Sequence, residues 1–365
     1  MKQWIGAAFA AMLAASCTPP EVTEFTDTLI PQPEHWNETS AESLIVTGQW
    51  NWTVDSTWDP VLPVWQEWMR GSQWNDDATE VELKMIRVEG LPEEGYELEV
   101  QKSGVTVRAS TEAGAFHALT TLRWMIPLEP LEKTALPCGV IQDAPRFPHR
   151  GLLLDCCRHF MQPEFVKRMI DLLALHKMNV LHWHLTEDQG WRIEIDAYPR
   201  LTEIGAWRTE ADGSTHGGFY TKDQIRDIVA YAASRHVMVI PEIELPGHSN
   251  AALAAYPWLG CTGEQMDVPH DWGVFKDIYC AGSDSTFEFL ETVLDEVLEL
   301  FPSTYIHIGG DEAPKVRWEA CAKCQHRIAA EGLQDEHELQ SWFIGRIGRY
   351  LESKGRKMIG WDEIL

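Results

Sequence analysis

From Gly151 onward the chain alternates short apolar runs with stretches of amphipathic helical spacing, and this alternation limits the fold more than any other feature. Strands are expected at 151–155, 179–185, 237–243, 305–309 and 357–361, separated by helices at 164–176, 223–235, 285–300 and 336–353. Apolar strands joined through helices form right-handed βαβ units and a parallel sheet. Every expected strand also ends in polar residues: Asp155 to Arg158, Thr186 to Asp188, Glu242 to His248, Asp311-Glu312, and Trp361 to Glu363. Polar groups converging at successive strand ends describe the mouth of a (β/α)8 barrel. About five such units are legible before Leu365, and a five-stranded parallel sheet would leave unpaired edges, so the barrel at 145–365 reads as incomplete at its C-terminal end.

Residues 43–140 have a different pattern. Strand-like alternation at 80–86, 96–100 and 104–109 is followed by helical spacing over 111–125, which describes a small α+β domain ahead of the barrel. Two prolines, Pro145 and Pro148, mark the boundary. Segment 18–42, rich in Pro, Thr and Glu without periodicity, reads as a linker. Residues 1–17 have a short charged head and an apolar run too brief to span a bilayer, which is the pattern of an export signal. Ala14-Ala15-Ser16-Cys17 resembles a bacterial lipoprotein box, so a lipid at Cys17 is the expected membrane attachment. The protein is then exported from a bacterial cell, to the periplasm or outer membrane, or is secreted.

A formal charge of −26 disfavours nucleic acid and anionic membrane surfaces as partners. A neutral substrate fits better, and the 17 Trp residues are many, although most Trp simply fill cores. Export permits disulfides: Cys261 and Cys280 flank a loop-like stretch and are expected to bridge. Cys321 and Cys324 form a lone C-x-x-C, read as a local disulfide or free thiols because a zinc site needs a second pair or nearby His. No metal or organic cofactor is expected, and the sequence assigns no oligomeric state.

The run Tyr305 to Pro314 reads as a buried strand closed by Gly309-Gly310 and followed by Asp311 and Glu312. Neighbouring residues at a strand end tend to diverge, so the two carboxylates are expected to meet different parts of one ligand. The structural alternative is a turn in which Asp311 caps the next segment and Glu312 is solvated.

Arg150 to Asp155, Arg158-His159-Phe160, His182 to Arg192, Pro246-Gly247-His248 and His307 to Glu312 together resemble glycoside hydrolase family 20, the exo-acting β-N-acetylhexosaminidases. The likeness runs from about Leu91 to Leu365. It implies a small α+β domain ahead of a (β/α)8 TIM barrel, with terminal β-linked N-acetylglucosamine or N-acetylgalactosamine as substrate. It also implies retaining, substrate-assisted hydrolysis through an oxazolinium ion, an exception to the two-carboxylate scheme. By resemblance Glu312 is the general acid and base, Asp311 orients the 2-acetamido group, and Arg158 grips the terminal sugar's hydroxyls. His248 matches a pocket histidine, and Trp342 and Trp361 match rings that wall the acetamido pocket. Glu187 stands where the commonest pattern has Asp. The remaining pocket residues of the family, a Tyr, an Asp, a Trp and a Glu, are expected on strands beyond Leu365.

Two other readings start from the same residues. His182 and His184 alternate on one strand and could hold a metal in an amidohydrolase-like barrel. A chain lacking part of its barrel could also be an inactive carbohydrate-binding remnant.

Overall fold

The computed structural model describes residues 29–47, 50–54, 56–70, 80–127 and 133–364. The expected export signal, Cys17 and the first part of the expected linker therefore lie outside the described residues. The chain divides into two compact units, Met1–Pro145 and Arg146–Leu365.

The first unit contains β1 (His35–Val46), β2 (Trp50–Val54), α1 (Leu62–Arg70), β3 (Val81–Arg87), β4 (Tyr96–Gln101), β5 (Gly104–Ala109), α2 (Glu112–Met125) and β6 (Thr134–Asp143). They form a mixed sheet in the order β1-β6-β4-β5-β3-β2. Strands β4 and β5 bury alternate residues, among them Leu98, Val100, Val105 and Val107, under α2. Thr111 caps α2 by accepting from the Gly114 amide. The expected linker is corrected here: from His35 it forms β1, antiparallel to β6 with an irregularity between Glu38 and Ser43. Most of β1 is exposed, so its sequence lacks the alternation that marks a half-buried strand; pairing with β6 is what extends it.

The second unit starts with β7 (Gly151–Asp155), α3 (Pro163–Leu175) and β8 (Val180–His184). A long connection carries β9 (Thr186–Glu187), β10 (Gly190–Trp191), α4 (Arg200–Glu203), β11 (Trp207–Thr209) and β12 (Thr215–Gly217) before α5 (Lys222–Ala233). Then come β13 (Met238–Glu242), α6 (Asn250–Ala255), α7 (Asp284–Leu300), β14 (Tyr305–His307), α8 (Val316–Glu319), α9 (Ala322–Glu331), α10 (Glu336–Ser353) and β15 (Lys357–Ile359).

Strands β7, β8, β13, β14 and β15 are parallel and adjacent in chain order, the succession of a (β/α)8 barrel. Helix α7 buries Phe287, Leu290, Leu294 and Val297 at helical spacing, and each such side chain stabilises the unit by about 1.5–3 kcal/mol. A capping box, Thr221 with Gln224, starts α5, and Asp335 caps α10 through the amides of His337 and Glu338. The connections that leave β8, β13 and β14 at their C-terminal ends are the long ones, and they carry the polar residues.

Candidate active site

The pairing register places Asp155, His184, Glu242 and His307 side by side across four neighbouring strands. Glu242 is fully buried at the centre of this row. Its carboxylate lies 2.8 Å from His182 Nε2 and 2.8 Å from His307 Nδ1, with His184 Nδ1 at 3.7 Å. Burial opposes its ionisation, but the His182 hydrogen bond, the His184 charge and His307 outweigh that and hold Glu242 well below the usual carboxylate range. Burial also opposes charging His184, yet Glu242, Glu244 and Glu187 raise it to about 10. The row is thus an ion-paired floor under the loops above it.

The loops add a second set of groups. Arg158, half-buried, bonds Asp155 Oδ2 at 2.7 Å through Nη1 and reaches Glu187 Oε2 at 3.1 Å through Nη2. Glu187 is buried, and its other oxygen takes the Nδ1 hydrogen of His248 at 2.7 Å. On the far side of the ring, His248 Nε2 lies 3.6 Å from Asp311 Oδ2 and 3.7 Å from Glu312 Oε2. Burial disfavours a cation at His248, but the Asp188, Asp311 and Glu187 acceptors outweigh it and keep the ring protonated far above its ordinary range. His248 therefore ties the loop after β8 to the loop after β14.

The backbone that presents Asp311 and Glu312 is unusual. Gly309 has φ of 63°, and a Cβ there would stand 1.6 Å from Glu244 Oε2, so no side chain fits. Gly310 has φ of 101° and is equally hemmed in by Ile364. Glu312 and His248 are non-glycine residues at positive φ, 45° and 48°, a strained region that persists only where the surroundings hold it. The two carboxylates share one neighbour but differ in surroundings, Asp311 Oδ1 being buried and the Glu312 side chain half-exposed. The left-handed turn at Glu312 replaces strand alternation and brings both carboxylates to one imidazole nitrogen.

Comparison with known proteins adds to this geometry. The profile of glycosyl hydrolase family 20, catalytic domain, matches residues 147–365, and that of the same family's domain 2 matches residues 26–144. The chain belongs to glycosyl hydrolase family 20.

A beta-hexosaminidase of Porphyromonas gingivalis is 53% identical over 281 residues, covering 75% of this chain and 36% of that protein. A beta-hexosaminidase of Vibrio furnissii is 38% identical over 357 residues, covering 94% of this chain and 58% of that protein. Among solved structures, the family 20 exo-β-N-acetylglucosaminidase of Vibrio harveyi in complex with N-acetylglucosamine superposes with a TM-score of 0.82 at 32% identity, covering 94% of this chain and 56% of that one. The chain thus spans roughly a third to three-fifths of the lengths of these proteins.

Five of the residues singled out in the sequence are brought together: Arg158, Glu187, His248, Asp311 and Glu312. Trp361 joins them at the end of β15, with its ring 4.8 Å from that of His307 and its amide bonded to Gly309 O. Trp342 is a correction. Its ring meets Phe287 of α7 edge-on at 5.4 Å and lies near the guanidinium groups of Arg327 and Arg346. These neighbours belong to the helical layer, because α10 turns position 342 towards α7 and α9.

Sequence reasoning passed over Glu242 and Glu244, which lie in a quoted strand end but carry no spacing signal of their own. It also passed over Asp188, which accepts from the Asn250 amide and side chain, and Trp272, an exposed ring 5.6 Å from the Arg158 guanidinium. The His182 and His184 metal reading concerns a set of close charged contacts: Glu242 stands 2.8 Å from His182 and 2.8 Å from His307, and His184 faces Glu244 at 3.3 Å. Both sets, His182 with Glu242 and His307, and His184 with Glu242 and Glu244, have their ligand atoms within 4.8 Å of one another.

Proposed function

We propose that the whole protein is an exo-acting β-N-acetylhexosaminidase that removes terminal non-reducing β-linked N-acetylglucosamine or N-acetylgalactosamine. One observation carries this reading. Asp311 Oδ1 is a buried acceptor with no donor among the described residues, while the side chain of its neighbour Glu312 is half-exposed. An unsatisfied buried acceptor costs free energy, and a substrate N–H removes that cost. The names of the family 20 relatives and the N-acetylglucosamine bound in the Vibrio harveyi enzyme support the same substrate class.

In this reading the sugar's 2-acetamido N–H donates to Asp311, which turns the acetamido oxygen towards the anomeric carbon. That oxygen forms a bond to the anomeric carbon as the glycosidic bond breaks, and Glu312 gives its proton to the leaving oxygen. The Asp311 carboxylate offsets the positive charge of the oxazolinium. Glu312, now ionised, takes a proton from the water that opens this ring, and two inversions leave the anomeric configuration retained. Arg158 holds the far hydroxyls with its planar fork, and Trp361 offers an apolar wall to the acetamido methyl. Glu187 and His248 position the charged groups around them.

Chito-oligosaccharides and glycans ending in N-acetylhexosamine are the substrates proposed. Export with lipid attachment at Cys17 accompanies this reading and rests on the sequence of the first 17 residues. The deciding test compares an aryl N-acetyl-β-glucosaminide with the corresponding β-glucoside on the full-length protein. Cleavage of the first alone is expected, and equal cleavage of both refutes substrate assistance.

A further inference from the structure

Away from the carboxylate cluster, the fold gathers four cysteines. Cys261, Cys280, Cys321 and Cys324 place their sulfurs within 4.8 Å of one another, three of them buried and Cys261 partly so. The sulfur separations are 3.8 Å for Cys261 and Cys324, 3.8 Å for Cys280 and Cys321, and 3.7 Å for Cys280 and Cys324. No pair is bonded. The expected Cys261 to Cys280 bridge is thus replaced by two thiols that share their space with the C-x-x-C.

We propose that these four residues form a tetrathiolate site for a structural zinc ion. Four thiolates about 2.3 Å from one tetrahedrally coordinated zinc ion lie about 3.8 Å from each other, which matches three of the six separations here, and the other three are within 4.8 Å. Two disulfides would instead sort the sulfurs into two pairs about 2 Å apart. The observed arrangement has no such sorting: Cys280 is equally far from Cys321 and Cys324, and Cys324 is equally far from Cys261 and Cys280.

The backbone supports the same chemistry. Gly260 and Tyr279 form an antiparallel bridge and Cys280 N donates to Leu259 O, so Cys261 and Cys280 occupy diagonal positions on the same face of the pairing. Cys321 is the N-cap of α9 and Cys324 lies in its first turn, where the helix dipole favours thiolates. The two halves are pressed together at Gly282, where a Cβ would stand 2.2 Å from the Lys323 carbonyl carbon. Binding releases any thiol protons and leaves a filled-shell ion with no open position, a brace without a catalytic role.

That brace joins the connections that follow β13 and β14. The same two segments are linked by Arg317, which grips both oxygens of Asp277 at 2.7 and 3.1 Å, and by Trp318 Nε1, which donates to Tyr279 O at 2.9 Å. One segment carries His248 and the other Asp311 and Glu312. The zinc would therefore steady both sides of the carboxylate cluster without touching it.

The test uses the full-length protein purified without chelator. Metal analysis and native mass spectrometry should find one zinc per chain, and cobalt exchanged into the site should give the near-ultraviolet thiolate charge-transfer bands and visible bands of a tetrahedral ion. Cys280→Ser with Cys324→Ser should lose the zinc, while Cys138→Ser should keep it. Should the double variant fail to fold, alkylation of the wild-type protein in denaturant decides. With EDTA and no reductant, all four cysteines should be labelled. Labelling only after reduction would show disulfides and overturn the proposal, as would four free thiols in a protein that takes up no zinc, or iron in its place.

Discussion

His248 Nε2 stands 3.6 Å from Asp311 Oδ2 while its Nδ1 bonds Glu187 Oε1 at 2.7 Å, so one cation spans the carboxylates of two different loops. His248→Gln keeps the shape of a polar side chain and removes the charge. Asp311 then loses its orienting partner, and kcat should fall by about 10- to 100-fold with a smaller change in KM. Steady-state kinetics on an aryl N-acetylglucosaminide check this, and an unchanged kcat counts against the positioning role.

On the proposed mechanism, Glu312→Gln removes the proton donor but not the space. Turnover of substrates with poor leaving groups should fall by about 10²–10⁴-fold, and activated aryl leaving groups should suffer less, because they depart without protonation. Asp311→Asn should slow both substrate types, since either leaving group departs in the step that forms the oxazolinium and that step loses its charge stabilisation in both cases. Rates measured across a series of leaving groups separate the two roles.

Glu187 is buried between Arg158 and His248, so Glu187→Ala leaves two cations facing each other without their shared carboxylate. Removing one partner of a buried ion pair costs about 3–5 kcal/mol. Urea unfolding should show that loss. A change within about 0.5 kcal/mol, typical of surface substitutions, would mean that the network contributes little.

Stability should depend on pH from both sides. The folded-state pKa of His184 is raised, from 6.5 to about 10, so its contribution is complete below pH 6.5 and is lost as pH rises towards 10. Glu242 is held below its ordinary 4.5, so its contribution is complete above that value and is lost as pH falls below it. His184→Gln should therefore flatten the alkaline arm of stability against pH, measured by thermal unfolding.

Gly309→Ala places a methyl group against Glu244 in a left-handed backbone. The variant should lose more than about 1 kcal/mol of stability, in contrast to the small gain that Gly→Ala gives at compatible positions. Denaturant midpoints measured beside those of Gly355→Ala, which also has positive φ but open space around it, separate steric from conformational cost.

The barrel strands were legible because parallel barrel strands read as apolar runs, as the buried β13 and the more exposed β7 and β15 all do, and each run stops where polar side chains start. Asp311 and Glu312 were legible for the same reason, since a glycine pair closes their strand. The Trp342 assignment failed because a helical tryptophan looks the same in sequence whether it faces a pocket or a neighbouring helix. Strand β1 was missed because most of it is exposed, and its partner β6 lies about a hundred residues away in the chain.

By itself the sequence determined the order of strands and helices, the positions where carboxylates, imidazoles and guanidinium groups enter the loops, and the family resemblance. Local periodicity and turn chemistry suffice for those. Only the tertiary structure decided that Glu242 stands beside His184 and His307, that both carboxylates after β14 share His248, and that the cysteine at 261 meets the one at 324. Each of these depends on strand register or on loops that return to one another, and contacts between residues far apart in the chain leave no periodic trace along it.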